Sequence, residues 1–140
     1  MTVAREPLRS DIGTSASFPA DPTETAGGDR SIEVAITLNN LAAAYQRKGE
    51  LLEAERRFRR ALAIKEKILG PDHPAIAPTL NNLAVVRRQQ GDYSEAEAIY
   101  RRCFALLKGL VDRNHPYLLA TVRNYEALLR ERSSGLGPNR

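Results

Sequence analysis

The sequence of 140 residues has no tryptophan, one cysteine, and only 6% aromatic residues. A single cysteine cannot close an internal disulfide, which excludes a disulfide-stapled secreted scaffold. No apolar run approaches the roughly 18 residues that a membrane-spanning helix requires. Arg5 and Arg9 are not followed by an apolar segment, so the N-terminus does not read as a signal peptide. There is no glycine-rich phosphate loop, no HExxH pair and no GxSxG elbow. These absences weigh against an enzyme and point to a cytoplasmic protein with no cofactor. The length allows one domain with tails.

What is present is charge, at 27% of residues, and a mean hydropathy of −0.42, both suited to a soluble chain. The net charge of +4 is unevenly placed. Residues 1–30 carry three bases and five acids, whereas 31–132 carry seventeen bases and twelve acids. A mildly basic folded part favours an acidic partner over a basic one. The first 30 residues are rich in Pro, Gly, Ser and Thr and show no helical period, so a disordered tail is expected there. Residues 133–140 read as a flexible C-terminal tail.

The chain repeats itself. Thr37-Leu38-Asn39-Asn40-Leu41-Ala42 returns 42 residues later as Thr79-Leu80-Asn81-Asn82-Leu83-Ala84. Gly49 returns as Gly91, Glu53-Ala54-Glu55 as Glu95-Ala96-Glu97, Arg59-Arg60 as Arg101-Arg102, and His73-Pro74 as His115-Pro116. Without gaps, 33–74 and 75–116 share sixteen identities. A partial third copy begins at Tyr117, and a period of this length marks a helical array.

Each unit reads as a helix pair, which makes the fold class all-α. Leu38, Leu41, Ala42 and Tyr45 lie at i, i+3, i+4 and i+7, one buried helical stripe, and Gly49 closes that helix. Ala54, Phe58, Ala61, Leu62, Ile64 and Ile68 face inward from a second helix, which Gly70-Pro71 stops. Helices are expected near 32–48, 51–69, 75–90, 92–110 and 117–132. His73 suits an N-cap with Pro74 in the first turn. Asp92 and Glu95 have capping-box spacing. Pro78 should delay the start of the third helix by a turn. Arg87, where the first unit has Tyr45, is expected to snorkel toward the groove edge.

The spacing of Leu38, Leu41, Ala42, Tyr45, Gly49, Ala54, Phe58 and Ala61 resembles the tetratricopeptide repeat pattern. The 42-residue period, the Leu-Asn-Asn-Leu-Ala run and the Leu69-Gly70-Pro71-Asp72-His73-Pro74 loop look like the kinesin-light-chain type. The resemblance covers about 33–132 and implies a short right-handed α-solenoid over 31–132, about two and a half repeats. Repeats at 33–74 and 75–116 would be followed by a capping helix at 117–132. Glu126 stands where Ala42 and Ala84 stand, facing the place of an absent second helix, as suits a chain end. It could pair with Arg130 four residues on, while Leu119 keeps that face partly apolar.

Three features bear on chemistry. Cys103 replaces Ala61 and reads as a small buried thiol. His73 and His115 have no recurring carboxylate or thiol at metal-ligand spacing, so no metal site is expected. The stripe of Arg56, Arg57, Arg59, Arg60, Arg101 and Arg102 has acids four residues before Arg57, Arg59 and Arg101 and no interleaved aromatics. A nucleic-acid binder is therefore the weaker reading.

The second face of the first helices is the candidate site. At about 100° per residue, Asn39 and Ala43 fall on one side and Asn40 and Arg47 on the other. Their equivalents are Asn81 and Val85 with Asn82 and Gln89, then Arg123, Ala127 and Arg130 with Asn124. Asparagine is a poor helix-interior residue, but its amide suits a peptide backbone. One Asn of each pair could instead bond the neighbouring repeat. In the resembled family this face is a concave peptide groove, which implies a protein interaction module for an extended, acidic segment. Arg123 and Arg130 would supply its charge. The alternative is self-assembly, a homo-oligomer stacked through the solenoid ends.

Overall fold

The computed structural model describes residues 31–134, so the tail expected over 1–30 and residues 135–140 of the tail expected over 133–140 lie outside the described residues, whereas Ser133 and Ser134 of that expected tail continue the last helix. Within them the elements are α1 (Ile32–Arg47), α2 (Leu51–Leu69), a 3-10 turn (Pro74–Ile76), α3 (Ala77–Gln89), α4 (Tyr93–Leu107) and α5 (Pro116–Ser134). Helices α1 and α2 form the first repeat and α3 and α4 the second, with α5 packed on the second. No strand occurs among the described residues. The fold is an all-α helical repeat.

Local chemistry accounts for the boundaries. Ser31 caps α1, its hydroxyl accepting from the Glu33 N–H at 3.0 Å. The Asp92 carboxylate accepts from the Glu95 N–H at 3.1 Å and starts α4. At both repeat junctions a histidine is the cap. His73 Nδ1 accepts from the Ala75 N–H at 3.0 Å, and His115 Nδ1 from the Tyr117 N–H at 3.1 Å. Pro78 acts as its position implies, because 74–76 form a 3-10 turn and the α-helix starts only at Ala77. α4 ends at Leu107, three residues before the expected 110, because Gly109 takes a left-handed φ of +84° just past the cap. α5 runs two residues beyond the expected 132, to Ser134.

One apolar core runs through both repeats, from Ala54 and Phe58 of α2 through Leu80, Leu83 and Val86 of α3 to Tyr100 and Leu107 of α4 and Leu128 of α5. Ala35 and Leu38 of α1 meet Ala61 and Ile64 of α2 in a smaller cluster. α3 is the most enclosed helix, with Ala77, Thr79, Leu80, Asn81, Leu83, Ala84 and Val86 all buried. Its position between α2, α4, α1 and α5 puts Thr79 and Asn81 inside, and each makes a hydrogen bond across a repeat boundary, as described below.

A Cβ added at Gly109 would meet nothing within 4 Å, so only the backbone opposes a side chain there. Gly109→Ala should therefore cost about 1 kcal/mol, the left-handed penalty alone. Chemical denaturation reads this, and an unchanged midpoint would show that the turn relaxes freely.

Candidate functional site

The face shared by α1, α3 and α5 carries the candidate residues, and the structure divides them into two groups. Asn39 and Asn81 point into the repeat junctions. The Thr79 hydroxyl donates to Asn39 Oδ1 at 3.1 Å, and the Asn81 amide donates to Thr121 Oγ1 at 2.8 Å. Asn81 is only 6% exposed. These two asparagines brace one first helix against the next, the second of the two roles their spacing allows. Arg123 continues the same row, but among the described residues no further helix stands beside it, and it is exposed.

The second group stays on the open face. Asn40 is exposed, and Asn82 and Asn124 are half-buried, with side-chain amides that make no hydrogen bond among the described residues. Ala43, Val85 and Ala127 form a row of small, partly buried side chains beside them. Arg47 is exposed, while Gln89 is tied to α1 by a hydrogen bond from the Gln46 amide at 2.8 Å. Arg123 and Arg130 have no acidic partner among the described residues; the expected Glu126–Arg130 pair does not form. Arg88, Ala127, Arg130, Glu131 and Ser134 line a concavity of about 410 Å³ at the α3–α5 end. Across it, Arg88 Nε stands 3.8 Å from the Glu131 carboxylate.

Arg87 does not snorkel toward the groove edge. Its guanidinium turns into a cluster of carboxylates, 3.1 Å from Glu55 and 2.7 Å from Glu95, and also bonded to Asp92. Arg59 closes the cluster with bonds of 2.8 Å to both Glu55 and Glu95. The sequence hides this arrangement because the partners come from two separate segments, α2 and the start of α4. Burial pushes the Glu55 carboxyl up, but hydrogen bonds from Arg59 and Gln90 and the charges of Arg87 and Arg59 outweigh it and hold the group below the ordinary range. The Glu95 backbone N–H, aided by Arg87, holds Asp92 low. At the next junction the Tyr125 hydroxyl and Arg132 do the same for Glu97.

The convex arginines are also occupied. Arg56 and Arg57 pair with Glu53, Arg59 with Glu55 and Glu95, Arg101 with Glu97, and Arg102 with Glu66. Cys103 is fully buried, 3.1 Å from the Thr121 hydroxyl, and burial pushes its thiol up, away from the reactive thiolate. No group of three His, Cys, Asp or Glu side chains that could hold a metal occurs among the described residues. No helix there is long and apolar enough to cross a membrane. Sequence reasoning did not anticipate Lys65, which is 9% exposed and donates to Thr79 Oγ1 at 3.0 Å, nor the Tyr100 hydroxyl, which is fully buried without a partner. Tyr100 stands where the first repeat has Phe58, a substitution that signals the extra polar atom.

A family model for the tetratricopeptide repeat matches residues 33–109, and the chain belongs to that family. Such repeats are protein–protein interaction modules, typically non-enzymatic. Among solved structures the chain is similar to BtubC (BKLC) from P. vanneervenii, a kinesin-light-chain-like repeat protein. The identity is 25% and the TM-score 0.69, over 78% of this chain and 43% of that one. This chain thus spans under half of that neighbour's length. No curated protein matches it.

Two predictions follow the geometry of these buried groups. Burial pushes the Tyr100 hydroxyl up to about 12, and an orphaned buried hydroxyl costs about 1–3 kcal/mol. Tyr100→Phe should therefore raise the melting temperature, and a clear fall would mean the hydroxyl is satisfied in solution. Glu55, Asp92 and Glu97 titrate lower folded than unfolded. Their contribution is complete above the unfolded carboxylate range of about pH 4 and is lost as pH falls through it toward the lower folded values. Thermal melts from neutral pH downward should show this loss, with a shallower slope in Arg87→Gln; identical slopes would remove Arg87 from the account.

Proposed function

We propose that the face formed by α1, α3 and α5 binds an extended, acidic peptide segment of a protein partner. The observation that carries this reading is the contrast in pairing. The convex arginines Arg56, Arg57, Arg59, Arg101 and Arg102 are matched by carboxylates, whereas Arg123, and Arg130 at the concavity's edge, form no ion pair among the described residues. The free positive charge thus sits next to the row of unbonded amides Asn40, Asn82 and Asn124. Those amides can donate to and accept from a peptide backbone, and the small side chains of Ala43, Val85 and Ala127 leave room for it. The same neutralisation of the convex face supports a protein partner over a nucleic acid, whose phosphates need uncompensated bases.

Ordering a flexible peptide on a face of this size removes much of the contact energy, so affinity should be roughly micromolar. Fluorescence titration with labelled acidic peptides, against basic peptides of equal length, tests the sign of the charge preference. Asn82→Ala should lose about 1–2 kcal/mol of binding, as for a hydrogen bond to a partner left unpaired. Its folded stability should hold, because Asn82 braces nothing. Arg123→Ala should lose more at low salt than at high salt, since its exposed charge is screened. Normal binding by both variants, with loss in an Arg59/Arg60 double variant, would move the working surface to the convex side.

A further inference from the structure

α5 has a face that the repeat register marks as one to be covered. Leu119, Val122 and Glu126 occupy the positions of Ala77, Leu80 and Ala84 in α3, which are 0%, 1% and 0% exposed. In α3 those residues belong to the continuous core shared with α4. In α5 no helix stands opposite among the described residues, and Leu119 and Leu129 remain 47% and 42% exposed. At about 100° per residue, Leu119, Val122, Glu126, Leu129 and Arg130 fall within an arc of roughly 100°, opposite the buried Thr121 and Leu128.

The charges on this face decide what can cover it. Position 126 is alanine in both earlier repeats, where a partner helix can lie flat against it. A glutamate there, covered by an apolar helix, would be a buried charge without a cation, which is strongly unfavourable. The occupant must bring a base to that point. Glu126 and Arg130 are one helical turn apart, both exposed, and pair neither with each other nor with any other described residue. Two copies of α5 related by a two-fold axis perpendicular to the helix lie antiparallel, and the contact is self-complementary. If the axis crosses this exposed face at the level of residue 128, each Glu126 falls opposite the partner's Arg130, Leu129 packs beside the axis, and Val122 reaches the level of the partner's Ser134.

We propose that this face of α5 is a self-complementary docking surface for a second copy of the same chain, joined antiparallel through reciprocal Glu126–Arg130 pairs. The surface is distinct from the row of Asn40, Asn82 and Asn124, although Arg130 borders both.

Sedimentation velocity of the full chain without any peptide, across a concentration series, tests the proposal. The wild type should show a reversible monomer–dimer equilibrium. Glu126→Arg alone and Arg130→Glu alone should each weaken it at least about tenfold, because each places like charges opposite each other at two symmetric points. The double exchange Glu126→Arg with Arg130→Glu should restore it. An equimolar mixture of the two single variants should also associate, since one brings two arginines to the face and the other two glutamates. Circular dichroism of each variant should match the wild type, as both side chains are exposed. A wild type that stays monomeric through the series, or single variants that dimerise as well as the wild type, overturns the proposal. So does a mixture of the single variants that remains monomeric, because antiparallel pairing requires it to associate.

Discussion

The domain depends on the enclosure of α3. A lone pair of helices can bury one face of each member, and the other face of the first helix stays wet. α3 escapes this by lying between α2 and α4 on one flank and α1 and α5 on the other, with seven buried residues in thirteen. A helix enclosed this way must satisfy most of the polar groups it carries inside the protein, although the Asn81 Oδ1 stays without a partner. The hydroxyl of Thr79 and the amide of Asn81 are therefore pinned to neighbouring repeats. This constraint withdraws Asn39 and Asn81 from the open face and leaves Asn40, Asn82 and Asn124 on it.

The two junctions solve the same problem with different groups. The Thr79 hydroxyl accepts a hydrogen bond from Lys65 Nζ and donates one to Asn39 Oδ1. The Thr121 hydroxyl donates to the Tyr117 carbonyl at 2.8 Å and accepts from the Asn81 amide. The asparagine thus presents its oxygen at the first junction and its nitrogen at the second. Leu107 stands where Lys65 stands, so no ammonium is available to the second junction. The lone lysine has a cost, since burial lowers its affinity for the proton and no carboxylate repays it. The acid at 55 and 97 shows the same flexibility, taking Arg87 at one junction and Tyr125 with Arg132 at the other.

The fold was legible in the sequence because it rests on local signals. The recurrence of Leu-Asn-Asn-Leu-Ala, the glycines at 49 and 91 and the histidine–proline pairs each act within a few residues, and the helices lie where those signals place them. Pro78 was readable for the same reason. Arg87 was not, since its partners Glu55 and Glu95 come from second helices of two repeats and only the fold brings them together. The role of Asn39 and Asn81 could be narrowed to two choices but not decided, because adjacent asparagines differ by about 100° around the helix, and which of them meets a neighbour depends on how the repeats stack. Tyr100 carried a signal that a repeat comparison exposes, a hydroxyl added where the first copy has none.

The distribution of charge follows from that stacking rather than from composition. The sequence shows its densest basic run on α2 and α4, yet the alternation of acid and base at four-residue spacing, extended by pairs across the junctions, consumes it. Arg123 and Arg130 on α5 are among the described cations left without an ion pair. Among the described residues no second helix follows α5 to supply acids like Glu53 and Glu55, and there Arg123 and Arg130 make no ion pair while Leu119 and Leu129 stay exposed. Among the described residues the unpaired charge beside the groove and the uncovered apolar face thus lie side by side on α5. Arg130 lies where the two meet, so a second copy that engages it leaves Arg123 as the principal cation for a peptide on the open face.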